Sequence, residues 1–166
     1  RCWLEDSGSE DSHGRTLWAL GVCALNDANL SRRAWAASLF AEAMPTAEAL
    51  RSPRAWAFVL LGLDAYCAAV ANDLRAARLR LVLADRLIAI FNAVETTDWV
   101  WFEEGLAYDN ARLPQALILA GVATETPAYV ETGLRSLRWL VTQQTTAAGQ
   151  FRPVGTAGQS RRQYAG

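Results

Sequence analysis

The chain has 166 residues, 52% of them hydrophobic and 20% charged, with a formal net charge of -1. That length allows a domain to bury roughly two thirds of the surface its unfolded form exposes, and the apolar content excludes a disordered segment. The near-neutral charge excludes an electrostatic footprint for nucleic acid or anionic lipid, and the absence of lysine among the sixteen basic residues removes Schiff-base and P-loop chemistry.

Six segments carry helical periodicity. The first is predicted over 15–27, with Asp11 and Ser12 as caps, and the second over 32–44, ending before Pro45. Asn29-Leu30-Ser31 matches a glycosylation triplet but reads as the turn between them. The third starts at Ser52-Pro53, a capping residue followed by proline at the first helical position, and runs through a stripe of Trp56, Val59, Leu60, Leu63, Cys67 and Val70. Asn72 and Asp73 end it. The fourth, over 74–94, places Leu81, Ala84, Leu87, Ile88, Phe91 and Val94 on one face.

A long connection over 95–110 follows, of the kind that is more often functional than short ones. The fifth helix is expected from Leu113-Pro114 to Ala123, and the sixth from Thr126-Pro127 to about Thr145, with Val130, Leu134, Leu137, Leu140 and Val141 as its stripe. These six helices pair into about three hairpins over 1–146, leaving an irregular tail over 147–166. The fold class is therefore all-α. Three helices share an apolar run that reaches a glycine, at Gly21, Gly62 and Gly121, each with an arginine upstream, Arg15, Arg54 and Arg112. Mid-helix glycine costs roughly 1 kcal/mol against alanine, so its recurrence predicts close approach of helices, and repeated hairpins predict a solenoid or toroid.

The three cysteines, Cys2, Cys23 and Cys67, form no C-x-x-C pair, and His13 is the only histidine, so no zinc or other metal site and no cofactor is expected. Cysteines inside apolar helical runs behave as small buried hydrophobes, which points to a reducing, cytoplasmic setting. No segment is apolar enough to span a membrane, the first eleven residues lack a signal-peptide core, and the missing initiator Met points to a trimmed or excised product.

The stretch Asp98-Trp99-Val100-Trp101-Phe102-Glu103-Glu104, with Tyr108-Asp109-Asn110, mixes ring faces, carboxylates and an amide. Sugar sites need that mixture: rings cover the C–H face of a sugar and polar groups bind its hydroxyls. The alternative is that the tryptophans plug a core. Adjacent Glu103 and Glu104 point in different directions, so the partner of Glu103 as an acid would be remote, Asp6, Asp11 or Asp109. His13 and Arg15 read as part of a substrate-facing loop before the first helix, and the Phe151-to-Gly155 turn with Arg152 as a segment closing over the same end. The candidate catalytic residues are thus Glu103 and Asp11. The candidate substrate-binding residues are His13, Arg15, Trp99, Trp101, Tyr108, Asn110, Arg112 and Arg152.

The run Glu10-Asp11-Ser12-His13-Gly14-Arg15, the block Tyr108-Asp109-Asn110-Ala111-Arg112-Leu113-Pro114, and Gly149-Gln150-Phe151-Arg152-Pro153-Val154-Gly155 resemble the six-hairpin (α/α)6 toroid domains of bacterial carbohydrate-active proteins, of the kind found beside glycosyltransferases. The resemblance covers about 10–155 and implies part of an α/α toroid, three hairpins of six. It implies weak oligosaccharide binding, with any catalysis being glycosyl hydrolysis or related acid/base chemistry. The rival expectation is a non-catalytic helical interaction scaffold. Apolar flanks left by the missing hairpins also predict a homodimer.

Overall fold

The structure, a computed structural model, describes residues 8–154 and 159–160. Cys2, Asp6 and Gly155 lie outside the described residues. The described chain is mostly helical: α1 (Glu10–Asn26), α2 (Leu30–Ala43), a 3-10 helix (Met44–Ala49), α3 (Pro53–Ala69), α4 (Leu74–Val94), α5 (Arg112–Ala123) and α6 (Pro127–Gln143). Two-residue strands β1 (Gly105–Leu106) and β2 (Gln159–Ser160) pair antiparallel. No helix is long and apolar enough to cross a membrane among the described residues. The chain divides into two compact units, Arg1–Leu83 and Ala84–Gly166, with the boundary inside α4.

The first unit is organised by α3. Ser52 accepts a hydrogen bond from the Ala55 amide and Pro53 opens the helix, as the sequence requires. From Arg54 to Leu63 every residue is buried, so α3 is covered all round rather than along one stripe. α1 lies against it where side chains vanish. A Cβ placed on Gly21 would stand 2.2 Å from the Gly62 carbonyl oxygen, and one on Gly62 would stand 2.6 Å from that of Leu17. The backbones therefore touch, and the cost of two mid-helix glycines is offset by contact over the whole seam. α1 begins earlier than expected, because Ser9 rather than Asp11 or Ser12 caps it.

α2 also starts two residues nearer the N-terminus than Ser31 suggested, with Asn29 accepting from the Arg32 amide. Phe40 stacks on Tyr66, ring centroids 4.2 Å apart. Asp73 caps α4 by accepting from the Arg75 and Ala76 amides, and its other oxygen accepts the Tyr66 hydroxyl at 3.1 Å. Burial alone would raise the Asp73 carboxyl; these bonds and the Arg75 charge hold it below its usual value. In α4 the buried line is Ala76, Leu79, Leu83, Ala84, Leu87 and Phe91, whereas Leu81 is exposed. Of the predicted face only Leu81 is exposed, because leucines at 79, 81 and 83 fit more than one helical register.

In the second unit α5 packs on α6 through the same device. A Cβ on Gly121 would come within 2.8 Å of the Val130 amide nitrogen, and one on Gly133 within 2.9 Å of the Pro114 carbonyl. The buried line of α6 is accordingly Tyr129, Gly133, Ser136 and Leu140, with Val141 outside. Apolar side chains alone did not mark that face; the small residues Gly133 and Ser136 do. The turn out of α5 is a Schellman motif in which Thr126 N–H donates to the Gly121 carbonyl and Glu125 takes the left-handed position at φ 52°. Tyr129 donates its hydroxyl to Asp85, and burial together with that carboxylate pushes the phenol up to about 12.

Candidate functional site

The segment expected as a substrate-facing loop, Asp11 to Arg15, is helix. It forms the first turns of α1, in the first unit. Its side chains are used locally: Arg15 Nε donates to Asp11 at 2.7 Å across one helical turn, and the guanidinium lies 4.2 Å over the Phe58 ring. His13 Nε2 is 2.9 Å from the Thr46 hydroxyl, whose own proton goes to the Ala43 carbonyl. The imidazole must then carry its hydrogen on Nε2 and donate it to Thr46. Glu10 accepts from the amides of Arg51 and Ser52, 41 and 42 residues away. The helix starts early because the Ser9 hydroxyl accepts from the Ser12 amide and so caps a turn that begins at Glu10.

The long connection belongs to the second unit, and there the structure corrects the expectation for two rings. Trp99 is 2% and Trp101 0% exposed. Trp99 meets Trp139 edge-on at 4.9 Å, Trp101 stacks on the same indole at 5.9 Å, and Phe102 turns its edge toward Phe91. Trp99 Nε1 donates to the Glu103 carbonyl at 2.7 Å, and Trp139 Nε1 to that of Asp98 at 3.2 Å. Neither Trp99 nor Trp101 offers a face to a sugar: the rings give the connection a core of its own. Glu103 is half-buried beside them and Asp11 lies in the other unit.

Asn110 is turned inward as well. Its carbonyl oxygen accepts from the Ala107 amide at 3.0 Å and its amide donates back to the Ala107 carbonyl at 2.9 Å. This paired closure holds the turn in which Asp109 adopts φ 49°. Tyr108, next to it, points outward and is 52% exposed. Arg112 follows as the first residue of α5 and donates to Gln115 at 2.7 Å.

After α6 the chain makes a tight return in which Thr146 N–H donates to Gln150, Arg152 N–H to Gln144, and Thr145 bridges Phe151. Gly149 takes φ 76°, a conformation that favours glycine. The return presents the Phe151 ring, 72% exposed, and leaves Arg152 on the surface. Between it and the Ala107–Arg112 turn lies an open concavity of about 460 Å³, lined by Tyr108, Asp109, Arg112, Gln144, Phe151 and Pro153 among others. Of the predicted site residues, the structure brings together Tyr108, Asn110 and Arg112 here, with Arg152 adjoining in sequence. Phe151 enters through the turn read from the sequence as closing over this end, whereas Gln144 carries no signal in the sequence that would mark it.

Comparison of the chain with models of protein families, with curated proteins and with solved structures finds no match in any of the three.

Proposed function

We propose that the chain is a partial α/α toroid of the carbohydrate-active kind that binds oligosaccharide weakly and without turnover at the concavity between Tyr108 and Phe151. The observation that carries this reading is the pair of exposed rings flanking a polar hollow that holds Asp109, Arg112 and Gln144. Rings of that kind cover the C–H face of a pyranose, while the carboxylate, guanidinium and amide offer both acceptors and donors to hydroxyls. The glycine-seamed packing of α1 on α3 and of α5 on α6 supports a repeated-hairpin arrangement. Binding is weak because the hollow is too open to bury most of a ligand.

The test is a titration with neutral oligosaccharides, mannose-containing ones first, followed by ligand-observed NMR. Saturation in the millimolar range is expected, with loss in Tyr108→Ala and in Phe151→Ala and retention in Trp35→Ala, a surface tryptophan of the first unit. No saturation at tens of millimolar, with circular dichroism unchanged, would discard the reading. Should hydrolysis be measured, Glu103→Gln is the first variant to make.

A second reading, a helical scaffold that binds protein or a second copy of itself, is favoured by α2, which leaves Leu30 and Trp35 exposed at 75% and 60%. Sedimentation velocity at high micromolar concentration separates them: a dimer broken by Trp35→Ala supports the scaffold, and a strict monomer counts against self-association.

A further inference from the structure

The first unit has a cavity of its own, about 200 Å³, between the 3-10 helix and the first turns of α4. Met44, Pro45 and Glu48 line it from the 3-10 helix, and Arg75, Arg78 and Leu79 from α4. Its floor is apolar, since Met44 and Leu79 are both buried. Its mouth is charged, since Arg75, Arg78 and Glu48 are exposed. Helical spacing makes this arrangement: residues 75, 78 and 79 are three and four apart and share one side of α4. Arg80 turns away from them, is buried, and donates from Nη2 to the Leu63 carbonyl at 3.0 Å.

The charges at the mouth do not cancel. Two guanidiniums against the single carboxylate of Glu48 leave the lining with one positive charge in excess. Arg75 reaches Asp73 only at 3.7 Å, and its side chain is mostly in water, so that pairing is loose and screened. Asp73 is already occupied by the Arg75 and Ala76 amides and the Tyr66 hydroxyl. Arg78 has no hydrogen-bond or ion-pair partner among the described residues. An available guanidinium thus stands at the rim of an apolar hollow.

We infer that this cavity binds a small monocarboxylate with an apolar body, its carboxylate on Arg78 and its body against Met44, Pro45 and Leu79. The guanidinium fork matches the two oxygens of a carboxylate, and charge-assisted bonds of this kind are the strong ones. Met44, unbranched and polarizable, adapts to a chain or a ring. At about 200 Å³ the cavity falls below the roughly 300 to 1,000 Å³ of drug-sized sites, so the ligand is a small acid. Glu48 sets the charge class: one excess positive charge suits a monoanion, and a carboxylate in the lining repels the second charge of a phosphate dianion. The site lies in the first unit and is independent of the glycan reading.

Isothermal titration of the full chain with sodium octanoate and, separately, sodium phosphate, ionic strength held constant with chloride, tests it. Octanoate should saturate in the millimolar range, with phosphate about tenfold weaker or worse. Arg78→Met keeps an apolar stem, removes every donor, and should weaken octanoate about tenfold; Arg78 is exposed, so the fold survives the change. Glu48→Gln should narrow the gap between the two anions, and Tyr108→Ala, in the other unit, should leave octanoate unchanged. Octanoate that does not saturate at tens of millimolar would overturn the proposal. Equal affinity in Arg78→Met would do so too, by showing apolar adsorption without the arginine. Phosphate bound as tightly as octanoate, or a gap unmoved in Glu48→Gln, would reject the charge class and the proposal with it. Loss of octanoate in Tyr108→Ala would move the ligand to the second unit and overturn the site.

Discussion

Along the α1–α3 seam side chains are removed until backbones touch, whereas in the 95–111 connection large rings are brought in to fill space that backbone leaves open. Gly21, Gly62 and Gly14 make the first; Trp99, Trp101 and Phe102, with Trp139 from α6, make the second. Two regular helices can bring their backbones into contact where a facing residue lacks a Cβ. An irregular segment has no such regularity to exploit and must import bulk. The seam should therefore be intolerant of addition and the connection intolerant of deletion.

The largest effect is expected for Trp101→Ala, which empties the centre of the connection and should cost about 3 to 5 kcal/mol in urea unfolding. An unchanged midpoint would mean that the rings are not the connection's core. Next, Gly21→Ala puts a methyl 2.2 Å from the Gly62 carbonyl, which as backbone cannot rotate away. Overpacking of this kind should cost about 3 kcal/mol, and a loss under about 1 would show the seam to be looser than the contact implies.

Asn110→Ala removes two hydrogen bonds from the Ala107 turn and should cost about 1 to 2 kcal/mol while leaving helix content unchanged. If the turn also positions Tyr108, glycan affinity should fall with it. The smallest effect belongs to the α1–α2 turn, where Arg32 and the Asn29 amide hold the Asp27 carboxyl down from 3.8 to about 2. A depressed carboxylate stabilises the fold above its unfolded value, and that contribution is lost as pH falls from 3.8 through about 2. Unfolding midpoints of the parent and Arg32→Ala should differ at pH 6 and converge near pH 2, and a constant difference would remove the ion pair from the account.

The helices were legible because their ends are written locally. Ser52-Pro53 and Pro127 mark starts through the amide bookkeeping of a single turn, and Gly21, Gly62 and Gly121 betray close packing because their cost demands a return. The connection was legible as unusual but not as buried, since burial there depends on Trp139, about forty residues downstream, which no local pattern announces. Tyr108 and Asn110 are two residues apart in a turn, and only the turn's geometry decides that one faces out and the other in. Arg80 escaped notice for a different reason: an arginine on an amphipathic helix defaults to solvent, and only the packing of α4 against the Leu63 carbonyl shows otherwise.

Glu10 has a bearing on the order of folding. Its carboxylate holds the amides that lead into α3, yet it sits at the start of α1, so those hydrogen bonds form only after about forty residues of intervening chain have closed into a loop. A helix that could nucleate alone at Ser52-Pro53 is thereby made to complete its first turn together with its neighbour. In hydrogen exchange the Arg51 and Ser52 amides should gain protection with the middle of α1 and later than the middle of α3, reporting the docking of the two helices rather than the birth of either.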